Sequence, residues 1–192
     1  MKRILSLLLI AFMAIGVNAG NDNKTVTGAP YKVGDYYNDG VKEGVVFVVY
    51  DGGYHGKIVS VDESRELWVG ESVRENVTAA ISKGDGMGNM NKVKKLPDWK
   101  SNYPAFAWCA SLGDGWYLPA VDELILIYEN KSIINRRLNE RGYGEVVDEL
   151  YWSSTEVEEE SDCAWYVNMN DGDSNYINKD YLDLSVRAVS AF

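Results

Sequence analysis

Leu118-Pro119-Ala120-Val121-Asp122-Glu123-Leu124-Ile125-Leu126-Ile127-Tyr128 decides the fold class. Within it Val121, Leu124, Ile125 and Tyr128 recur at helical spacing, so one face of a helix is apolar and needs a sheet to cover it. Asp122 and Glu123 fall in the first turn, where carboxylates favour the positive helix N-terminus; that role accounts for them better than acid-base catalysis does. A second helix follows, from a Ser132 cap to Arg141 with Gly142 as its stop. Upstream, residues 104–112 read as a short helix carrying Trp108 and Cys109, with Pro104 in its first turn and Gly113 ending it.

Strand patterns flank this helical middle on both sides. Val45-Val46-Phe47-Val48-Val49-Tyr50, the turn Asp51-Gly52-Gly53 and residues 57–61 predict a β-hairpin. After Gly144 the β-rich runs are 151–154, 164–169, 176–179 and 184–192, with Asn170-Asp171-Gly172 as a turn between the middle two. Strands, then two to three helices, then strands predict an α+β fold over residues 31–192. Residues 84–89, Gly-Asp-Gly-Met-Gly-Asn, lack both the Gly-Lys-Ser/Thr ending of a phosphate loop and the dinucleotide glycine spacing, and read as an ordered loop.

The N-terminus predicts export. Lys2 and Arg3 precede an apolar run over residues 4–17 and then Asn18-Ala19, the three-part pattern of a signal peptide over residues 1–19. The run is shorter than the roughly 20 apolar residues of a spanning helix. The polar, Gly- and Thr-containing residues 20–30 form a flexible lead. A net charge of −10 becomes two charges more acidic once Lys2 and Arg3 are removed, a balance that repels duplex nucleic acid. At 46% hydrophobic residues the remainder holds a sizeable core.

In an oxidising compartment an even pair of cysteines is read as a bridge, so Cys109 and Cys163 are expected to form a disulfide. Its closure is worth roughly 4 kcal/mol in the chain-entropy model. A reactive thiol pair is the lesser alternative, since no C-x-x-C spacing or nearby histidine supports it. His55, the single histidine, excludes any scheme with two imidazoles and reads as a residue with a structural or surface role.

The order Cys109, Gly115-Trp116-Tyr117-Leu118-Pro119 with Glu123-Leu124, Tyr151-Trp152-Ser153-Ser154-Thr155-Glu156, Ala164-Trp165 and Val186-Arg187 resembles the Legionella collagen-like adhesin C-terminal domain family. Gly44-Val45-Val46-Phe47, His55-Gly56 and Gly88-Asn89 resemble its earlier landmarks. That family, common in exported bacterial proteins, is similar in outline to C-type-lectin-like and formylglycine-generating-enzyme folds. The resemblance implies that residues 184–192 pair beside residues 44–50, closing the N- and C-terminal strands on each other. It departs at Ala120, where a capping Thr or Ser is common, and at Tyr117, where Arg is common.

The lectin-like outline also implies that any ligand meets the loops between the late strands, residues 155–162 and 170–175. Tyr166, Asp171, Asp173, Asn175 and Tyr176 are the candidate contacts, while Trp116, Trp152 and Trp165 read as core. Glu156, Glu158, Glu159, Glu160 and Asp162 offer oxygens that could hold Ca²⁺, yet consecutive glutamates repel and read as a solvated acidic loop. Residues 171–175 start like a calcium loop without its later Gly and bidentate Glu. The Glu-Pro-Asn, Gln-Pro-Asp and Trp-Asn-Asp triplets of calcium-dependent sugar binding are missing too. The expectation is therefore a non-enzymatic binding or adhesion module in the periplasm, on the cell surface or secreted, contacting a glycan or protein. The alternatives are an enzyme on a formylglycine-generating-like scaffold and a subunit of a surface assembly.

Overall fold

Two sheets share the apolar middle of the chain in the computed structural model, which describes residues 30–73 and 75–192. The expected signal peptide and all of the lead but Pro30 lie outside those residues. The first sheet orders β1 (Tyr36–Asn38), β2 (Glu43–Tyr50), β3 (His55–Ser60) and β9 (Val189–Ala191); the second orders β4 (Ser64–Glu66), β8 (Leu184–Val186), β5 (Leu150–Glu156), β6 (Cys163–Asn168) and β7 (Ser174–Asn178). Pairing is antiparallel except between β5 and β8, which run parallel at Tyr151 and Ser185. The result is an α+β fold in which the C-terminal strand returns to the N-terminal hairpin.

That return is shifted by one strand from the expectation. β9 pairs β3, with Lys57 opposite Ala191 and Val59 opposite Val189, so β3 stands between it and β2. Residues 184–192 are also two strands in different sheets. Arg187 sits at the crossing, 2% exposed, and its guanidinium donates to the carbonyls of Ser60, Gly144 and Glu145 and to the Glu63 carboxylate. The fork of five N–H donors thus supplies partners for backbone that leaves one ladder before joining the next. At the outer end Tyr31, Tyr37 and Phe192 pack ring to ring at 4.8–5.3 Å, joining the segment before β2 to the C-terminal residue.

Five α-helices occur among the described residues: α1 (Gly86–Val93), α2 (Trp99–Asn102), α3 (Pro104–Ser111), α4 (Val121–Glu129) and α5 (Lys131–Glu140). α1 replaces the expected loop at 84–89; Asp85 caps it by accepting from the Gly88 N–H at 2.8 Å, and Met90 and Val93 are wholly buried. α4 buries Val121, Leu124 and Ile127, with Ile125 and Tyr128 packed at the margin. Its cap is Ala120, which lacks an oxygen, so Glu123 alone completes the reciprocal half by accepting from the Ala120 N–H at 2.8 Å. No described helix is long and apolar enough to cross a membrane.

The disulfide is corrected: Cys109 and Cys163 are both free thiols and not near each other. Cys109 is wholly buried on α3, within the apolar core. Cys163 begins β6 opposite Asn178. The sheet lattice and the helix that carry them are fixed by packing of their own, and that packing holds the sulfurs apart.

Candidate functional site

Period-2 alternation in β6 and its antiparallel register with β7 determine which of the candidate residues can act together. Trp165 pairs with Tyr176, while Tyr166 pairs with Asn175 on one side and Trp152 on the other. Tyr176 and Tyr166 therefore point to opposite faces of the sheet. The candidate set is divided, and one half gains a partner that sequence reading assigned to the core: Trp165 is half-buried, not enclosed.

On the Trp165 face, the Trp165 and Tyr176 rings lie 5.3 Å apart at 68°, an edge-to-face pair. Exposed Lys83 places its Nζ 4.3 Å from the Trp165 centroid, a cation over the π face. The Tyr176 hydroxyl donates to Glu160 Oε1 at 3.4 Å, at the weak end of hydrogen bonding. A partly exposed aromatic surface flanked by one ammonium and one carboxylate can stack a flat or ring-shaped ligand and meet its polar groups. Nothing in the sequence links Lys83 to this site. It arrives because the Asp122 N–H donates to the Lys83 carbonyl at 2.9 Å, tying residue 83 to the start of α4.

The remaining candidates are spent largely on the hairpin itself. Asp171 accepts from the Asp173 N–H at 3.0 Å and from Asn168 Nδ2 at 2.9 Å, and Asn175 Oδ1 accepts from the Tyr176 N–H at 2.8 Å. Asp173 stands exposed at the turn. In the acidic loop Glu158, Glu159 and Glu160 face solvent, whereas Glu156 is drawn into β5 and is 1% exposed. Among the described residues no three His, Cys, Asp or Glu side chains gather as a metal-holding group.

Sequence reading missed two buried carboxylates. Glu156 accepts from Lys179 Nζ at 2.6 Å, from Thr78 Oγ1 and N at 2.9 Å, and from the Ala79 N–H at 3.2 Å. Glu123 accepts from the Tyr117 hydroxyl at 2.8 Å, from Gly86 N–H at 3.2 Å and from Lys57, in addition to Ala120. Asp122 remains exposed and suits the dipole role; Glu123 instead joins α1, α4 and β3. Tyr117 was the one available hint, because a buried hydroxyl needs an acceptor. Burial first, then the Glu123 carboxylate, pushes the Tyr117 hydroxyl well above the usual tyrosine range.

The thiols are equally enclosed. Burial pushes the Cys109 thiol far up, and burial with the charges of Asp162 and Glu160 pushes Cys163 up to about 11. His55 is exposed and meets Asp51 across 3.1 Å at the β2–β3 turn. A separate cleft of about 130 Å³ is walled by Val41, Glu43, Asp62, Leu112 and Trp116; Glu43 there receives the Tyr36 and Tyr143 hydroxyls.

The family model described as the Lcl C-terminal domain matches residues 67–190, a span running from Leu67, just before the Trp68 that lies under Lys179, to Ser190 of β9. No curated protein matches the chain.

Proposed function

From the premise that this chain belongs to the Lcl C-terminal domain family, we propose that it is an exported, non-enzymatic binding module that contacts a glycan or protein ligand through its late β-hairpin. The observation that supports this reading is the pair of half-buried Trp165 and exposed Tyr176, with Lys83 over the Trp165 ring and Glu160 beside Tyr176. Large rigid rings gain contact area at low cost in side-chain entropy, and the two flanking charges supply orientation. Export rests on the N-terminal pattern, and places the module in the periplasm, at the cell surface or in the medium. The thiols weigh against the formylglycine-generating-like alternative: that chemistry would bring cysteine thiolates to one metal, and here Cys109 and Cys163 are not near each other.

The test is a glycan array together with a pull-down against surface proteins, run with the parent chain and with a Trp165→Ala/Tyr176→Ala variant. Binding by the parent that falls at least tenfold in the variant, with unchanged circular dichroism, supports the proposal. A ligand held equally by both, or no ligand in either assay, overturns it.

A further inference from the structure

An acidic chain of net charge −10 concentrates Lys92, Lys94, Lys95 and Lys100 within nine residues that contain one acid, Asp98. Lys92 is engaged with the Ala79 carbonyl. Lys94, Lys95 and Lys100 are exposed, and Lys94 and Lys100 each bring Nζ to 5.8 Å from the Trp99 ring centroid. Leu96 is half-buried and Pro97 exposed between them. Three ammonium groups thus flank the apolar side chains of Leu96, Pro97 and Trp99 across the link from α1 into the start of α2.

The turn is prebuilt. Asp98 holds a left-handed backbone at φ 49°, uncommon for a residue with a Cβ. Around it Asn102 Nδ2 donates to the Pro97 carbonyl at 3.2 Å, Ser101 Oγ to the Asp98 carbonyl at 2.9 Å, and the Gly70 N–H to the Asn102 carbonyl at 2.8 Å. Like charges gathered this closely repel, so an anionic surface brought against them lowers that repulsion. Asp98, Trp99, Lys100 and Ser101 border an open face, not a trough that would enclose a chain. Tryptophan seats at the headgroup level of a bilayer, and lysines beside it pair with lipid phosphates while their stems lie along apolar surface.

We infer that the 94–100 turn is a peripheral docking point for an anionic phospholipid bilayer, with Lys94, Lys95 and Lys100 toward the phosphates and Trp99 and Leu96 at the interface. It stands independently of the ligand assigned to the late hairpin. The acidic remainder of the chain is repelled by the same surface, so contact is confined to this turn and is strongly screened by salt.

The experiment is co-sedimentation of the full chain with phosphatidylcholine vesicles with and without phosphatidylglycerol, at low and high salt, with dextran sulfate as a soluble polyanion. Residues 1–29 are common to parent and variants, so the difference between them reads the turn. The parent binds the phosphatidylglycerol vesicles about tenfold better than phosphatidylcholine alone, and high salt abolishes the gain. Lys94→Glu/Lys95→Glu/Lys100→Glu removes the gain entirely; Lys94→Gln/Lys95→Gln/Lys100→Gln, which adds no negative charge to disturb folding, removes most of it; Trp99→Ala lowers it severalfold. Equal binding to both vesicle types, retention of the gain in the glutamine variant, or capture of dextran sulfate without vesicle binding overturns the inference, the last in favour of a soluble polyanion.

Discussion

Lys179 Nζ lies 2.6 Å from the Glu156 carboxylate, with the two side chains 0% and 1% exposed. Burial draws the Lys179 ammonium below its ordinary value while Glu156 opposes that pull. Glu156 also gathers Thr78 and Ala79, so the pair fastens residues 78–79 and 179 to the end of β5.

Removing either partner leaves a buried charge unpaired, yet the two losses differ. Glu156→Leu strands the Lys179 charge together with the Thr78 and Ala79 donors, and is expected to cost about 3–5 kcal/mol. Lys179→Met leaves Glu156 with its three donors and costs less, about 1–3 kcal/mol. Urea unfolding of both variants checks the order. If Lys179→Met proves the more damaging, the carboxylate is not the anchor described.

Cys109 and Cys163 are expected to stay reduced after maturation in an oxidising compartment. Mass spectrometry of alkylated protein should find no bridge, with both thiols labelling slowly in buffer and fully in denaturant. A raised folded value means that the neutral thiol is favoured in the native state. Its stabilisation is therefore complete below about pH 9, the ordinary thiol value, and is lost as pH climbs toward the Cys163 value of about 11. Thermal midpoints should decline across that window, and less steeply in Cys163→Ala; Tyr117 and Tyr151, both raised by burial, add the same sign at higher pH. A flat profile from pH 9 to 11 contradicts this account.

Gly172 has φ +82°, and a Cβ there would overlap the Tyr128 ring on α4. Gly172→Ala should lose about 1–3 kcal/mol through backbone strain and overpacking. Adding Tyr128→Leu should return the part owed to the ring but not the part owed to φ. A double variant no more stable than Gly172→Ala means the contact is not what restricts this turn.

Asn175, a candidate ligand contact on sequence grounds, covers a sheet edge. β7 is the last strand of its sheet, and register places the Tyr176 N–H on the side away from β6, where Asn175 Oδ1 accepts it. Freeing one edge donor is worth about 1 kcal/mol, so Asn175→Ala should raise the self-association constant about fivefold. Sedimentation velocity over a concentration series reads this; indistinguishable profiles for parent and variant would show the edge to be protected by something else.

Much of the architecture was legible because local chemistry encodes it. Helical spacing from Val121 to Tyr128, Pro104 opening α3, the Asp51-Gly52-Gly53 turn and the alternation around Trp165 each act over a few residues, and α4, α3, the β2–β3 hairpin and β6 follow. α1 was missed because Gly86 and Gly88, with Gly84 just before the helix, read as loop, and packing of Met90 and Val93 overrode that propensity. The candidate site was half legible: Tyr176 is exposed as expected, but Lys83 comes from a distant segment, and Tyr166 and Tyr176 separate because strand register assigns faces two residues at a time.

Composition, periodicity and turn residues determined which segments became helices or strands, since those preferences are local. Only tertiary structure decided that residues 184–192 change sheets at Arg187, that Glu123 and Glu156 are interior, and that the two cysteines do not meet. Those outcomes depend on which groups far apart in the chain lose water together, and a buried carboxylate or thiol acquires its role from partners that no sequence window contains.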